Sequence, residues 1–174
     1  MSLTNAIINW KRYLKRRNCS PNTIKNYLNT IKSYIVWLDV PLENVTHATV
    51  SHYIDYLMRK RLEPKTINCH LNSIRQFYYY LREEEHLAIT NPVRNNHTLR
   101  MARPLPRYLT DDQVETFFKV VKGDRDRAVF MLMIRCGLRV EEVANVSLDA
   151  MDFKYKKILI KDGKGSKDRI VYMS

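Results

Sequence analysis

One helix-opening pattern occurs twice in this chain. Pro21-x-Thr23-Ile24-x-x-x-Leu28-Asn29-x-Ile31 aligns with Pro64-x-Thr66-Ile67-x-x-x-Leu71-Asn72-x-Ile74 at an offset of 43 residues, and Trp10 and Leu14 match Tyr53 and Leu57 at the same offset. Proline suits the first helical position, where its missing N–H would have no intrahelical partner. Apolar residues three and four apart then fall on one side of the helix. Two copies of a helical hairpin are too few to stack as a solenoid. They suffice for a compact four-helix unit around a shared core. Common capping and packing rules would also explain the match, and the expected fold is the same under both origins.

Four amphipathic helices are read between residue 3 and about residue 85. The first aligns Leu3, Ile7, Trp10 and Leu14, with Lys11, Arg12, Lys15, Arg16 and Arg17 off that stripe or at its C-terminal end. The second opens with Ser20 as N-cap, carries Ile24, Tyr27, Leu28, Ile31, Tyr34, Ile35 and Leu38, and stops at Asp39-Val40-Pro41. A third, from Thr46 to about Arg61, is expected to bury Val50, Tyr53, Ile54, Leu57 and Met58. The fourth starts at Glu63-Pro64 and is expected to bury Ile67, Leu71, Ile74, Phe77 or Tyr78, and Leu81.

Beyond Asn91-Pro92 the chain carries Arg94, Arg100, Arg103 and Arg107 with Pro104 and Pro106. That reads as a basic connection, extended near its prolines, able to track a phosphate backbone or to serve as a solvated tether. Thr110-Asp111-Asp112-Gln113 is a capping box for a helix burying Val114, Phe117 and Val121. Asp124 opens another helix, whose segment from Ala128 to Ile134 is apolar on every face and is expected to lie central in a core. Gly137 stands where a left-handed C-cap belongs. A short helix over 139–145 follows, anchored by Val140 and Val143, then a strand at 157–161, a turn at Asp162-Gly163 and a returning strand at 169–173. The expected fold is mainly α: a four-helix domain at 1–93, a linker at 94–107, and at 108–174 an α+β segment that looks cut short.

Charge separates these parts. Residues 1–107 hold 17 of the 30 lysines and arginines but only 7 of the 18 acidic residues, as expected if the first part grips a polyanion; solubility is the plainer use of such charge. The three cysteines, Cys19, Cys69 and Cys136, show no CxxC spacing, and no signal peptide or long apolar run is read. Disulfides, a zinc site and a membrane span are therefore not expected, and a reducing cytoplasm fits.

Two cationic segments could carry chemistry. In Cys136-Gly137-Leu138-Arg139-Val140-Glu141-Glu142, Arg139 stands at a rigid junction with Glu142 three residues on, able to hold it. A planar, permanently charged fork suits a phosphate oxygen; a structural Arg–Glu pair at a helix start remains the alternative. In Gly163-Lys164-Gly165-Ser166-Lys167-Asp168-Arg169, two glycines flank Lys164 on a tight turn and let a phosphate approach. A lysine there can protonate a departing oxygen, or it is a solvated basic turn.

In this order the segments resemble the tyrosine recombinase (phage integrase) family. The helix start from Ser20 to Tyr27 is similar to that family's N-terminal SAM-like core-binding domain. The segment from Cys136 to Glu142 is similar to its arginine box, with Cys136 for the usual Thr or Ser and Glu141 where Ser or Gly is usual. The segment from Gly163 to Arg169 matches its lysine box without a break. The resemblance implies a four-helix SAM-like domain followed by part of a catalytic domain with helices and a β-hairpin. It implies site-specific DNA recombination or integration of the kind mobile genetic elements carry. Arg139 and Lys164 would be catalytic, Lys164 as the acid that protonates the 5′ oxygen, with Glu142 in support. A tyrosine attacks the scissile phosphate in that family and forms a 3′-phosphotyrosyl link, without metal or high-energy cofactor. The implied partners are duplex DNA and other recombinase protomers, four of which synapse two sites. Helices two and four would read the major groove, through Asn22, Lys25, Asn26 and Lys32 and through Lys65, Asn68, Asn72, Arg75 and Gln76, with Arg103 and Arg107 in the connection. Lys and Arg would hold phosphates, while Asn and Gln can pair with adenine edges; each could equally be a solvated face.

The family's His-x-x-Arg box and tyrosine nucleophile follow the lysine box. Here His97-Thr98-Leu99-Arg100 matches the letters but precedes the arginine box, and Tyr78, Tyr79, Tyr80 and Tyr172 are out of the nucleophile's place. The expectation is a chain that binds DNA without cutting it. Two other readings stay open: a short DNA-binding protein that occupies or regulates recombination sites, and a helical protein-interaction module.

Overall fold

In the computed structural model, which describes residues 3–102, 104–163 and 167–173, the chain forms two compact units, Met1–Pro104 and Leu105–Ser174. Helices α1 (Leu3–Arg16), α2 (Pro21–Trp37), α3 (His47–Arg59) and α4 (Pro64–Glu83) make the first. Local chemistry sets their ends. The Thr23 N–H donates to the Ser20 hydroxyl at 3.2 Å ahead of α2, and Thr46 and Thr49 form a reciprocal capping box on α3. After α3 the backbone turns left-handed at Arg61 (φ 57°), where Leu62 N–H returns to Leu57 O.

The core of this unit is aromatic. Trp10, Tyr34, Tyr53, Phe77 and Tyr78 are fully buried, with the Trp10 ring 4.9 Å from Phe77 and stacked parallel to Tyr27 at 5.8 Å. Burial raises the Tyr34 phenol to about 12. Trp10 and Tyr53, aligned in the duplicated pattern, are both completely enclosed, as are Ile31 and Ile74. The fourth helix buries both Phe77 and Tyr78, and the Tyr78 hydroxyl donates to Leu42 O at 3.1 Å. Two residues depart from the expected stripes. Leu3 begins its helix and is exposed. Met58 is half exposed because Tyr53, Ile54 and Leu57 already fill the face that meets the core.

Past α4 the chain stays on this unit. Ile89 and Val93 are buried, and Asn68 holds Leu99 by two hydrogen bonds: its Nδ2 donates to Leu99 O at 2.9 Å, and Leu99 N–H donates to its Oδ1 at 2.9 Å.

The second unit contains α5 (Asp111–Val120), α6 (Asp124–Ile134), α7 (Val140–Asn145) and a three-stranded antiparallel sheet ordered β1 (Met151–Asp152), β2 (Lys157–Gly163), β3 (Lys167–Tyr172). The β2–β3 pairing matches the expected hairpin, with Leu159 opposite Ile170 and Ile160 opposite Arg169. Strand β1 was not expected; two residues are too few for alternation to register. Three further expectations are corrected. Phe118, four residues from Val114, is buried in place of Phe117, which packs half-buried on Phe130 with ring centroids 4.8 Å apart. No residue of α6 is fully buried, and Met131 is exposed. One helix, a six-residue helix and a small sheet cannot surround it on every side. Val140, at the first position of α7, is exposed, leaving Val143 alone to anchor that helix against Leu138, Ile158 and Ile160.

Truncating Trp10 to alanine should cost the first unit about 3–5 kcal/mol, whereas Met58→Ala should stay within about 0.5 kcal/mol of the parent. Denaturant titration followed by far-UV circular dichroism distinguishes the two; equal costs would mean that the face assigned to α3 is wrong.

Candidate nucleic-acid and phosphate site

Arg139 is placed by a sequence of local constraints. Helix α6 ends, and the chain reverses at Gly137 with φ 67°, a conformation that costs a side-chain-bearing residue dearly. A Cβ there would meet nothing within 4 Å, so the requirement for glycine is one of backbone alone. Buried Leu138 then pins the segment, and Arg139 becomes the N-cap of α7.

Glu142, the third residue of α7, sits at the centre of the site. Its Oε2 accepts from the Arg139 backbone N–H at 2.7 Å, and its Oε1 accepts from Arg139 Nη1 at 2.8 Å. The pair expected between these two residues is thus present. Sequence reasoning missed the second cation. From β3, Arg169 lays a two-pronged fork on the same carboxylate, Nη1 to Oε1 at 2.6 Å and Nη2 to Oε2 at 2.7 Å, with Nη2 also 3.5 Å from Gly137 O. Arg169 stood in the lysine box, and its position opposite Ile160 on the core side of the hairpin was the available clue. The side chain of Glu142 is 7% exposed, that of Arg169 32% and that of Arg139 56%. The Arg169 guanidinium first, and then the Arg139 backbone N–H and guanidinium, hold the Glu142 carboxyl far below the usual carboxylate range. The same pair raises Arg169.

Lys164 lies outside the described residues, as does Arg103. Strands β2 and β3 come before and after that segment, with Gly163 paired to Lys167 across a register shift.

On the first unit, α2 and α4 pack against each other, and the Asn72 amide on α4 donates to the Tyr27 hydroxyl on α2 at 3.1 Å. Asn22, Lys25, Asn26 and Lys32 on α2, and Lys65, Asn72 and Gln76 on α4, are exposed; Arg75 is half-buried. Arg107, in the second unit, is exposed. Asn68 is different, because both ends of its amide are occupied by the Leu99 backbone. Its side chain clamps the chain after α4. His97 accepts from the Arg94 backbone N–H at 3.1 Å within a single turn of 3₁₀ helix over Asn95–His97, so it caps that turn. Among the described residues no cluster of three metal-ligating side chains occurs, and no helix is long and apolar enough to cross a membrane.

Two family models match the chain: "Phage integrase, N-terminal SAM-like domain" over residues 7–86 and "Phage integrase family" over residues 107–174. The chain belongs to the phage integrase, or tyrosine recombinase, family. Among relatives of this family, tyrosine recombinase XerC of Halalkalibacterium halodurans is 31% identical, the alignment covering 91% of this chain and 55% of that protein. Tyrosine recombinase XerC of Syntrophus aciditrophicus is 32% identical, over 92% of this chain and 56% of that protein. The chain spans about half the length of these relatives. Solved integrases share the fold. A lambda integrase dimer bound to a COC' core site superposes with a TM-score of 0.78 at 16% identity, covering 99% of this chain and 62% of that one. The Tn1549 transposon integrase in complex with circular intermediate DNA gives 0.67 at 19% identity, over 97% of this chain and 60% of that one.

Two outcomes test the local geometry. Gly137→Ala should destabilise the second unit by about 1–2 kcal/mol through the left-handed backbone alone, and Gly137→Asn by less; equal losses would point to packing. A carboxyl with a depressed folded pKa contributes stability above its unfolded value, about 4.3, and that contribution disappears as pH falls. The melting temperature of the chain should therefore exceed that of Glu142→Gln at pH 7, and the gap should begin to narrow below about pH 4 and keep shrinking as pH falls further. A gap as wide at about pH 2 as at pH 7 would show that the depressed carboxyl is not what stabilises the unit.

Proposed function

We propose that this chain is the DNA-binding and first active-site portion of a site-specific tyrosine recombinase, acting on duplex DNA in the cytoplasm. The observation that carries the reading is the Arg139–Glu142–Arg169 cluster at a rigid junction, two guanidiniums sharing one carboxylate. That leaves a net positive charge at a fixed place, and fixed donors can stabilise a charged phosphorane-like arrangement without reorganising. Arg139 takes a non-bridging oxygen of the scissile phosphate, and Lys164 protonates the departing 5′ oxygen. Glu142 supports Arg139. The recombinase as a whole forms a 3′-phosphotyrosyl intermediate that conserves the energy of the broken ester. By itself this chain binds the duplex and does not cut it.

On the first unit, Lys25, Lys32, Lys65 and Arg75 hold backbone phosphates, while Asn22, Asn26, Asn72 and Gln76 address base edges. Asn72 uses one amide proton on Tyr27 and keeps its carbonyl and a second proton for a base. Asn68 is omitted because its amide is committed to Leu99. Arg103 and Arg107 hold further backbone phosphates. Further protomers pair two such sites, as in the lambda integrase tetramer bound to a Holliday junction.

Fluorescence anisotropy with a labelled duplex tests this reading. Affinity should fall steeply as salt rises, and removing any one phosphate-holding Lys or Arg should reduce the log–log slope by about 0.9. Denaturing gels of the same mixtures should show no covalent protein–DNA adduct. No binding at low salt, or salt-independent binding, would overturn the DNA-binding proposal, and an adduct would overturn the binding-only part of it.

A further inference from the structure

We propose that Arg169 is a positioning residue that neutralises Glu142, so that Arg139 keeps its charge and its outward N–H groups for an anion. The inference rests on the reading of Arg139 as a phosphate ligand and adds the residue that makes it available.

A carboxylate accepts a guanidinium best through two parallel hydrogen bonds. Glu142 receives such a fork from Arg169 and not from Arg139, which reaches Oε1 through Nη1 alone. The difference is not one of proximity. Arg139 and Glu142 are three residues apart at a helix start, where side chains meet, while Arg169 arrives from 27 residues away in sequence. With Arg169 absent, Oε1 and Oε2 would each lose an acceptor interaction on a nearly inaccessible side chain. The cation beside them is Arg139. Turning its fork inward would satisfy the carboxylate, consume two donors and cancel the charge. With Arg169 present, two cations share one anion, and the surplus charge resides on the more exposed of the two. Among the described residues, Glu142 has no ion pair other than these two. The fork also holds β3 against α7, and β3 is the strand that follows Lys164 in the sequence.

The mechanism makes an unusual demand: removing the carboxylate's charge should repair the loss of Arg169. The test uses the full 174-residue chain, inorganic phosphate as probe and the Arg139 Nε–Hε resonance as reporter, assigned with Arg139→Ala. Arg169→Ala should weaken the phosphate-induced shift about tenfold, and Arg169→Ala with Glu142→Gln should return it to within about twofold of the parent. Should alanine unfold the second unit, as circular dichroism would reveal, Arg169→Gln alone and with Glu142→Gln carries the same comparison. An undiminished response in the single variant overturns the proposal. So does a double variant as weak as the single, since a residue that only packs β3, or that touches the anion itself, cannot be replaced by neutralising Glu142. The same variants on duplex DNA separate the two readings. Phosphate rescue without duplex binding would remove the function proposed above and leave the role of Arg169. Duplex binding without rescue would do the reverse.

Discussion

The carboxylate of Glu142 accepts four hydrogen bonds, two from the Arg169 guanidinium, one from the Arg139 guanidinium and one from the Arg139 backbone. That equals the acceptor capacity of an ionised carboxyl. An anion with so little contact with solvent is tolerable only when it is paired and hydrogen-bonded. Its partners come from a loop and from a strand distant in sequence, so satisfying one carboxylate caps α7, orients Arg139 and seats β3. The left-handed turn at Gly137 is what brings Arg139 to the start of that helix.

The two units are stabilised differently, which suits the tasks proposed for them. The first is enclosed around buried aromatic rings, with Trp10 tilted against Phe77 and Tyr34 edge-on to Tyr53. Such a core resists deformation and gives α2 and α4 a fixed spacing from which polar side chains can address a groove. The second encloses few side chains completely, Leu138, Ile158 and Ile160 forming the centre under the sheet. Its order at the proposed site owes more to charge-assisted hydrogen bonds than to burial.

Much of the first unit was legible because helix caps and apolar spacing are local signals. Ser20-Pro21 and Thr46 mark helix starts through bonds spanning three residues, and Ile24, Ile31, Ile67 and Ile74 recur with the helical period and are buried. The errors fall where a residue's fate depends on distant elements. Met58 lies beside the buried face but misses it, and the apolar run from Ala128 to Ile134 is hydrophobic enough for a core that its own unit does not build around it. Asn68 looked like one more polar side chain on a helix exterior until the chain after α4 folded back and placed Leu99 against it.

The Arg139–Glu142 pair could be anticipated because three residues at a helix start bring side chains together whatever the rest of the molecule does. The sequence likewise determined the helical character of the first unit, the β2–β3 hairpin and the family likeness, all of which depend on short-range spacing. That a second arginine shares the same carboxylate was decided by the tertiary structure alone. Strand pairing sets which face of β3 looks toward α7, and no periodicity in the chain records the distance between two side chains 27 residues apart.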